Sequence, residues 1–312
     1  MKPRAFKQVD VFTATPYLGN PLAVVLDGQD LSSEDMQRFA RWTNLSETAF
    51  VLPPTPRGAA AGADYRVRIF TPGAELPFAG HPTLGSCHAW LEAGGVPQTA
   101  AFIVQECGVG LVRIRRDGDR LAFGAPPLQR STPSPAVLAP VMSALGLQPQ
   151  QLIAAQLLNN GPVWLGLLLD SPHTVLQINP NHPVLKDLGL KVGVAGIEPA
   201  QEATTLIARS NREARAFGTR SVAVLSPEPS TVHVEVRAFA ALVGIQEDPV
   251  TGSLNASLAQ WLMADGHVPR AYVATQGTCL DRAGRVHIAQ DEHGQVWVGG
   301  HSVTCITGDV NL

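Results

Sequence analysis

Glu75-Leu76-Pro77-Phe78-Ala79-Gly80-His81-Pro82 decides the fold, because the chain carries the pattern twice. The second copy is Glu247-Asp248-Pro249-Val250-Thr251-Gly252-Ser253, and both read Glu-x-Pro-x-x-Gly. The offset is constant: 247 − 75, 249 − 77 and 252 − 80 each equal 172. Each copy runs into an apolar segment that closes on a glycine, Gly94 and Gly266, again 172 apart. Upstream of each lies an alternating segment ending in Arg-x-Phe, 64–70 and 233–239. One strand–loop–helix unit is therefore used in two half-length domains, 1–127 and 128–312, whose motifs should face each other.

The rest of the chain limits the function classes. A length of 312 residues suggests two domains. The net charge is −3 with no block of like charge, which leaves no electrostatic footprint for nucleic acid or an anionic membrane. The start, Met1 to Lys7, leads straight into a strand-like run without a signal-peptide core, and the longest apolar run, Val163 to Leu169, is too short for a bilayer. A soluble, cytoplasmic protein is expected. Cys87, Cys107, Cys279 and Cys305 stand far apart without a C-x-x-C pair and read as reduced core residues.

Taken in order, strands are expected at 9–13, 22–26, 45–52 and 64–70, with a loose loop from Pro53 to Gly62. Ser32 caps a helix whose Met36, Phe39, Ala40 and Trp42 are expected on one face and whose stop is Asn44. Short strands follow at 102–104, 109–114 and 121–123. Pro126 to Pro140 is the linker candidate. Beyond it come an apolar strand at 163–169, one at 222–225, the second Arg-x-Phe strand, and tail strands at 286–288, 296–298 and 303–306. Strands around one long helix per half predict a mixed α/β or α+β fold. Gly108-Val109-Gly110 lacks the third glycine and the following helix of a dinucleotide site, so none is expected.

At both motifs a glycine precedes a helix start, where backbone N–H groups have no intrahelical partner and the dipole adds a positive field. Two such starts meeting across a cleft would cradle a small carboxylate. The helices should bury Leu84, Cys87, Trp90 and Leu91 in the first half and Leu254, Leu258, Trp261 and Leu262 in the second. The titratable residues here are His81 and Asp248; each also has a purely structural explanation, as a first-turn histidine on a carbonyl and a loop acid near a helix start. Ser253 reads more readily as an N-cap than as a catalytic group. Glu75 and Glu247, repeated symmetrically, read as loop-fixing. Glu47, on a strand start beside apolar neighbours, would have its pKa raised by desolvation, which suits proton transfer, although exposed strand-end glutamates are common and the pattern alone is a weak signal. No H-E-x-x-H, G-x-S-x-G or P-loop occurs, and no metal is expected.

Asn20-Pro21-Leu22-Ala23-Val24-Val25, Asn44-Leu45-Ser46-Glu47-Thr48-Ala49-Phe50, Arg68-Ile69-Phe70-Thr71-Pro72, Phe78-Ala79-Gly80-His81-Pro82-Thr83 and the second motif together resemble the PhzF-like (phenazine-biosynthesis-like) family. The resemblance runs from residue 9 to about 300. It implies a diaminopimelate-epimerase-like α+β fold: two pseudo-symmetric domains, each a curved, largely antiparallel sheet around a central helix, with the active site between them. It lets the last strand, about 297–312, return to the first domain. It also implies a cofactor-independent isomerase, commonly a homodimer, acting on a small carboxylate-bearing molecule.

Carried over by residue, Glu47 is the general acid/base, while His81 and Asp248 polarise or position the substrate. Backbone amides around Gly80-His81 and Gly252-Ser253 hold its carboxylate. Epimerases and proline racemases of this fold use a cysteine on each side of the cleft. Here Ala79 and Thr251 precede the motif glycines, so a single carboxylate shuttling one proton is the expected mechanism. The chain departs from the family where Asp281-Arg282-Ala283 stands in place of Gly-Arg-Pro. An epimerase using Glu47 or Asp248 with His81 as two bases, and a binding protein without turnover, are the alternatives.

Overall fold

The structure, a computed structural model, describes residues 1–199 and 232–312. The strand expected at 222–225 lies outside the described residues. In the first half, neighbouring strands run Pro3–Val11, Asn20–Val25, Thr48–Leu52, Tyr65–Phe70, Ile103–Cys107, Gly110–Asp117 and Arg120–Gly124. In the second they run Leu152–Asn159, Val163–Leu169, Val192–Pro199, Val232–Ala240, Ala271–Gln276, Gly284–Gln290 and Val296–Gly300. The pairing directions repeat step for step in both: antiparallel, parallel, antiparallel, parallel, antiparallel, antiparallel. Duplication of the sequence motif is thus duplication of the whole sheet.

The repeat units, each counted through the strand that follows its own set, also exchange edges. Gln129–Ser131, which follows the first set of strands, pairs with Leu152–Asn159; Ser302–Asn311, which follows the second, pairs with Pro3–Val11. Arg120–Gly124 lies antiparallel to Val296–Gly300, so the two sheets join in one ribbon. Closing each half with a strand from the other repeat removes a free edge that would otherwise invite pairing with another chain.

A helix fills each curved sheet, Gly80–Glu92 in the first and Gly252–Ala264 in the second. Leu84, Cys87 and Ala89 share one core with Leu254, Leu258, Trp261 and Leu262. Trp90 and Leu91 are only partly buried at its rim, where Trp90 stacks on Tyr65 at 5.0 Å between centroids. Each large side chain so buried stabilises the fold by about 1.5–3 kcal/mol. Outer helices cover the far faces: Ser33–Thr43 over Val25, Phe50 and Phe70, and Pro135–Leu145, Pro172–Gln177 and His182–Asp187 over the second sheet.

Ser32 accepts from Asp35 N at 3.1 Å and Asn44 takes φ 55°, the N-cap and left-handed stop that their residue types predict. Trp42 does not join the inward face: it is 79% exposed, lying about 200° around the helix from Ala40. The Pro126–Pro140 stretch is not a bare linker, because it holds the exchanged strand and the start of the helix Pro135–Leu145, with Pro135 in the first turn where a missing N–H costs nothing. The loop after Pro53 similarly closes on a short helix, Pro56–Ala60, capped by Thr55.

Candidate active site

Both motif loops are fixed by the same device. Arg68 donates from Nε and Nη2 to the two Glu75 oxygens at 2.7 and 2.6 Å and lies over the Phe70 ring. Arg237 does the same to Glu247 at 2.9 and 2.8 Å and lies over Phe239. The Arg-x-Phe strand therefore grips the Glu-x-Pro-x-x-Gly loop at its first residue in each half, the loop-fixing role the repetition suggests.

The loops deliver the two helix starts into contact. A Cβ on Gly80 would lie 2.8 Å from Gly252 Cα, and one on Gly252 would lie 2.9 Å from Gly80 Cα. Only two glycines permit that approach. Neither N-cap residue, Ala79 or Thr251, caps its helix with a side chain, so the first N–H groups are left for an outside acceptor. Ser253 is not the N-cap; it is the second helical residue, and its Oγ accepts from Trp164 Nε1 at 3.3 Å. Gly252→Ala is expected to cost about 1–3 kcal/mol, because the neighbouring atoms are backbone and cannot rotate away. Urea unfolding of the variant checks this.

Glu47, His81 and Asp248 meet at this junction. The strand begins at Thr48, so Glu47 stands one residue before it, on the connection from Asn44. Its side chain is 13% exposed, and Oε2 lies 3.6 Å from His81 Nδ1. Glu47 Oε2 and His81 Nε2 are buried, with no hydrogen-bond partner among the described residues. Asp248 is held differently: Asn20 Nδ2 donates to Oδ1 at 2.8 Å and Thr251 Oγ1 donates to Oδ2 at 2.6 Å. Asn20 comes from the first half, so this bond crosses between the repeats, as does its 2.9 Å bond to the Val250 carbonyl.

Burial dominates the electrostatics. It pushes the Glu47 carboxyl up to about 7, against the Ser46 hydroxyl and the charge of Lys191, which pull it down. It pushes His81 down to about 4, against the charges of Asp248 and Asp10. Each member of the 3.6 Å pair is thereby moved toward its neutral form, so the contact is not a salt bridge in effect. Asp248 is raised too, by burial first and then by the Glu47 charge, but Thr251 and Asn20 stabilise its anion. The Asp248 anion thus has two side-chain donors, whereas Glu47 Oε2 has none.

A profile of the family described as phenazine biosynthesis-like protein matches residues 9–308. The chain belongs to this family. Among relatives of this family member, a Schizosaccharomyces pombe protein, antisense-enhancing sequence 1, is 34% identical, with 99% of each chain covered. Trans-2,3-dihydro-3-hydroxyanthranilate isomerase from Pseudomonas aeruginosa is 31% identical, covering 92% of this chain and 90% of its own. A Bacillus anthracis phenazine biosynthesis protein of the PhzF family superposes over 100% of both chains with a TM-score of 0.77 at 22% identity, which shows the fold. The family member is accordingly an enzyme of the isomerase class.

Several residues of this junction carry no signal in the sequence. Gln276 marks only a loop there; in the structure its Nε2 donates to the Asp248 carbonyl and to Thr251 Oγ1, both at 3.0 Å, and its Oε1 accepts from Thr251 N at 3.1 Å. Asn20 belongs to a recognisable motif, yet its bond to Asp248 spans 228 positions. The Asp281-Arg282-Ala283 departure docks on the first half: Arg282 donates to the Tyr17 carbonyl and Ala283 N to the Leu18 carbonyl, the latter at 2.7 Å. Of the cysteines, Cys87 is buried, Cys107 and Cys305 are half-buried, and Cys279 is exposed, so the expectation of four core thiols holds fully for one. Among the described residues no cluster of metal-ligating side chains forms, and no helix is long and apolar enough to cross a membrane.

Proposed function

We propose that this isomerase moves one proton within a small carboxylate-bearing substrate, with Glu47 as the single acid/base. The observation that carries the reading is the buried, unpartnered Glu47 Oε2 beside two uncapped helix starts. The substrate carboxylate accepts from the amides at Gly80-His81 and Gly252-Ser253. Glu47 as carboxylate takes a proton from an activated C–H and becomes the acid that returns it elsewhere on the same conjugated system. Charge that builds on the substrate meets fixed N–H donors, a contribution typically worth about 10²–10³ in rate per donor. His81, kept neutral by burial, and Asp248, kept in place by Asn20 and Thr251, position the substrate.

Both Asp248 oxygens are engaged by the protein, which favours one base over the two that an epimerase needs. Incubation with conjugated small acids in heavy water tests the reading. Trans-2,3-dihydro-3-hydroxyanthranilate, named for the Pseudomonas aeruginosa relative, is the first to try. Deuterium should enter the product at a position different from the one that loses hydrogen; return to the same carbon with inversion would instead mean epimerisation, and binding without exchange a non-catalytic protein.

The pH dependence follows from the same residues. Exchange should rise as Glu47 loses its proton around pH 7 and level off above it. Stability should move the other way. Glu47 binds its proton more tightly folded than unfolded, so its contribution is present below 4.5 and lost as pH climbs through about 7. His81 has the opposite sign: its contribution is present above 6.5 and lost as pH falls through about 4. Denaturant titrations across this range, with Glu47→Gln as the reference lacking the first effect, check both. A homodimer and a cytoplasmic setting belong to the same proposal. The exposed Trp42 stacked on Phe39 is a surface suited to a second copy, and four unpaired cysteines suit a reducing compartment.

A further inference from the structure

One cation near Glu47 has no part in that reaction. Lys191 immediately precedes the strand Val192–Pro199, and its carbonyl accepts from Leu165 N at 2.8 Å. Alternation along the strand puts residues 191, 193 and 195 on one face. That face lies against the second-motif helix: a Cβ on Gly193 would fall 2.2 Å from Leu254 Cδ1, and Ala195 shares the core with Leu254. On the neighbouring strand, Trp164 donates to Ser253 Oγ, and Lys191 Nζ lies 5.1 Å from the Trp164 ring centroid. The ammonium is thereby carried beside the start of the helix.

We propose that Lys191 is a specificity-determining residue that receives a second carboxylate of the substrate, so that the enzyme prefers small dicarboxylic acids to their monocarboxylic counterparts. The inference rests on the helix starts taking the first carboxylate. Among the described residues, Lys191 has no carboxylate in salt-bridge contact. Glu47 supplies an opposing charge from beyond salt-bridge contact, and a ligand carboxylate placed in contact would add a charge-assisted hydrogen bond. The Trp164 ring face holds the ammonium itself, a cation–π contact that leaves its N–H donors able to meet a carboxylate. Lys191 and Glu47 also act on each other across the halves: the Glu47 charge draws the Lys191 pKa up against the lowering effect of burial, and Lys191 draws Glu47 down. A diacid bridging the helix starts and Lys191 would therefore span the proton carrier.

Calorimetric titration of the full chain with succinate and glutarate, against butyrate and valerate of matched length, tests this without requiring turnover. One diacid should bind more tightly than its monoacid by on the order of 10- to 100-fold. Lys191→Met should erase that preference while leaving monoacid affinity and the melting temperature in place, and Lys191→Arg should restore part of it. Equal binding of mono- and diacids, no binding of any diacid, or a preference that survives in Lys191→Met would each overturn the proposal. Failure of deuterium exchange with a retained, Lys191-dependent diacid preference would overturn the proton-transfer reading and leave this one standing.

Discussion

Glu47→Gln is expected to lower solvent-hydrogen exchange and turnover by about 10²–10⁴ or more, because the amide matches the carboxylate in shape but neither accepts nor returns a proton. The fold should survive. The wild-type carboxylate is buried at Oε2 with no donor, so a neutral replacement removes a desolvation cost, and the melting temperature should stay level or rise near neutral pH. Deuterium incorporation followed by mass spectrometry gives the first result, and thermal unfolding at pH 7 the second. A variant that keeps exchange within a few-fold of wild type would end the single-carboxylate mechanism, while simultaneous loss of fold and activity would place Glu47 among structural residues.

The second large effect concerns the paired Arg–Glu grips, which are alike in geometry and unlike in burial. Arg237 and Glu247 are 4% and 7% exposed, whereas Arg68 and Glu75 are 17% and 42% exposed. Glu247→Gln removes the charge that faces a buried guanidinium, leaving one amide oxygen and the Val175 and Ile178 carbonyls as acceptors, and breaking such a pair costs about 3–5 kcal/mol. Glu75→Gln, on the solvated side, should cost no more than about 1 kcal/mol. Urea unfolding of the two variants side by side measures the difference. Because Glu247 begins the turn that carries Asp248, its variant should also lose activity in step with stability, whereas Glu75→Gln should leave exchange nearly intact. Equal costs at the two sites would show that burial is not what separates them.

Much of this was written in the chain itself. The repeated Glu-x-Pro-x-x-Gly at a spacing of 172 fixed the two-fold plan, since equal local sequences after equal strands build equal strand–loop–helix units. Glycine at 80 and 252, followed by apolar helices, marked the helix starts, because backbone contact and an uncapped turn need a residue without a side chain. The acids and the histidine were legible as residue types with chemistry. Their environment was not. Whether Glu47 is solvated or orphaned, and why Asp248 is fixed by Asn20, depend on atoms brought together from opposite halves of the chain.

Lys191, Trp164 and Gln276 show the same limit, since nothing in their immediate neighbours along the chain distinguishes them from ordinary strand-end and loop residues. The exchanged strands 129–131 and 302–311 do so at the level of the fold, where partner choice is a matter of edges that exist only once the sheets have formed. Local pattern, read at short range, determined the units and their duplication; tertiary structure alone decided the desolvation of Glu47, His81 and Asp248, because it depends on atoms from both repeats.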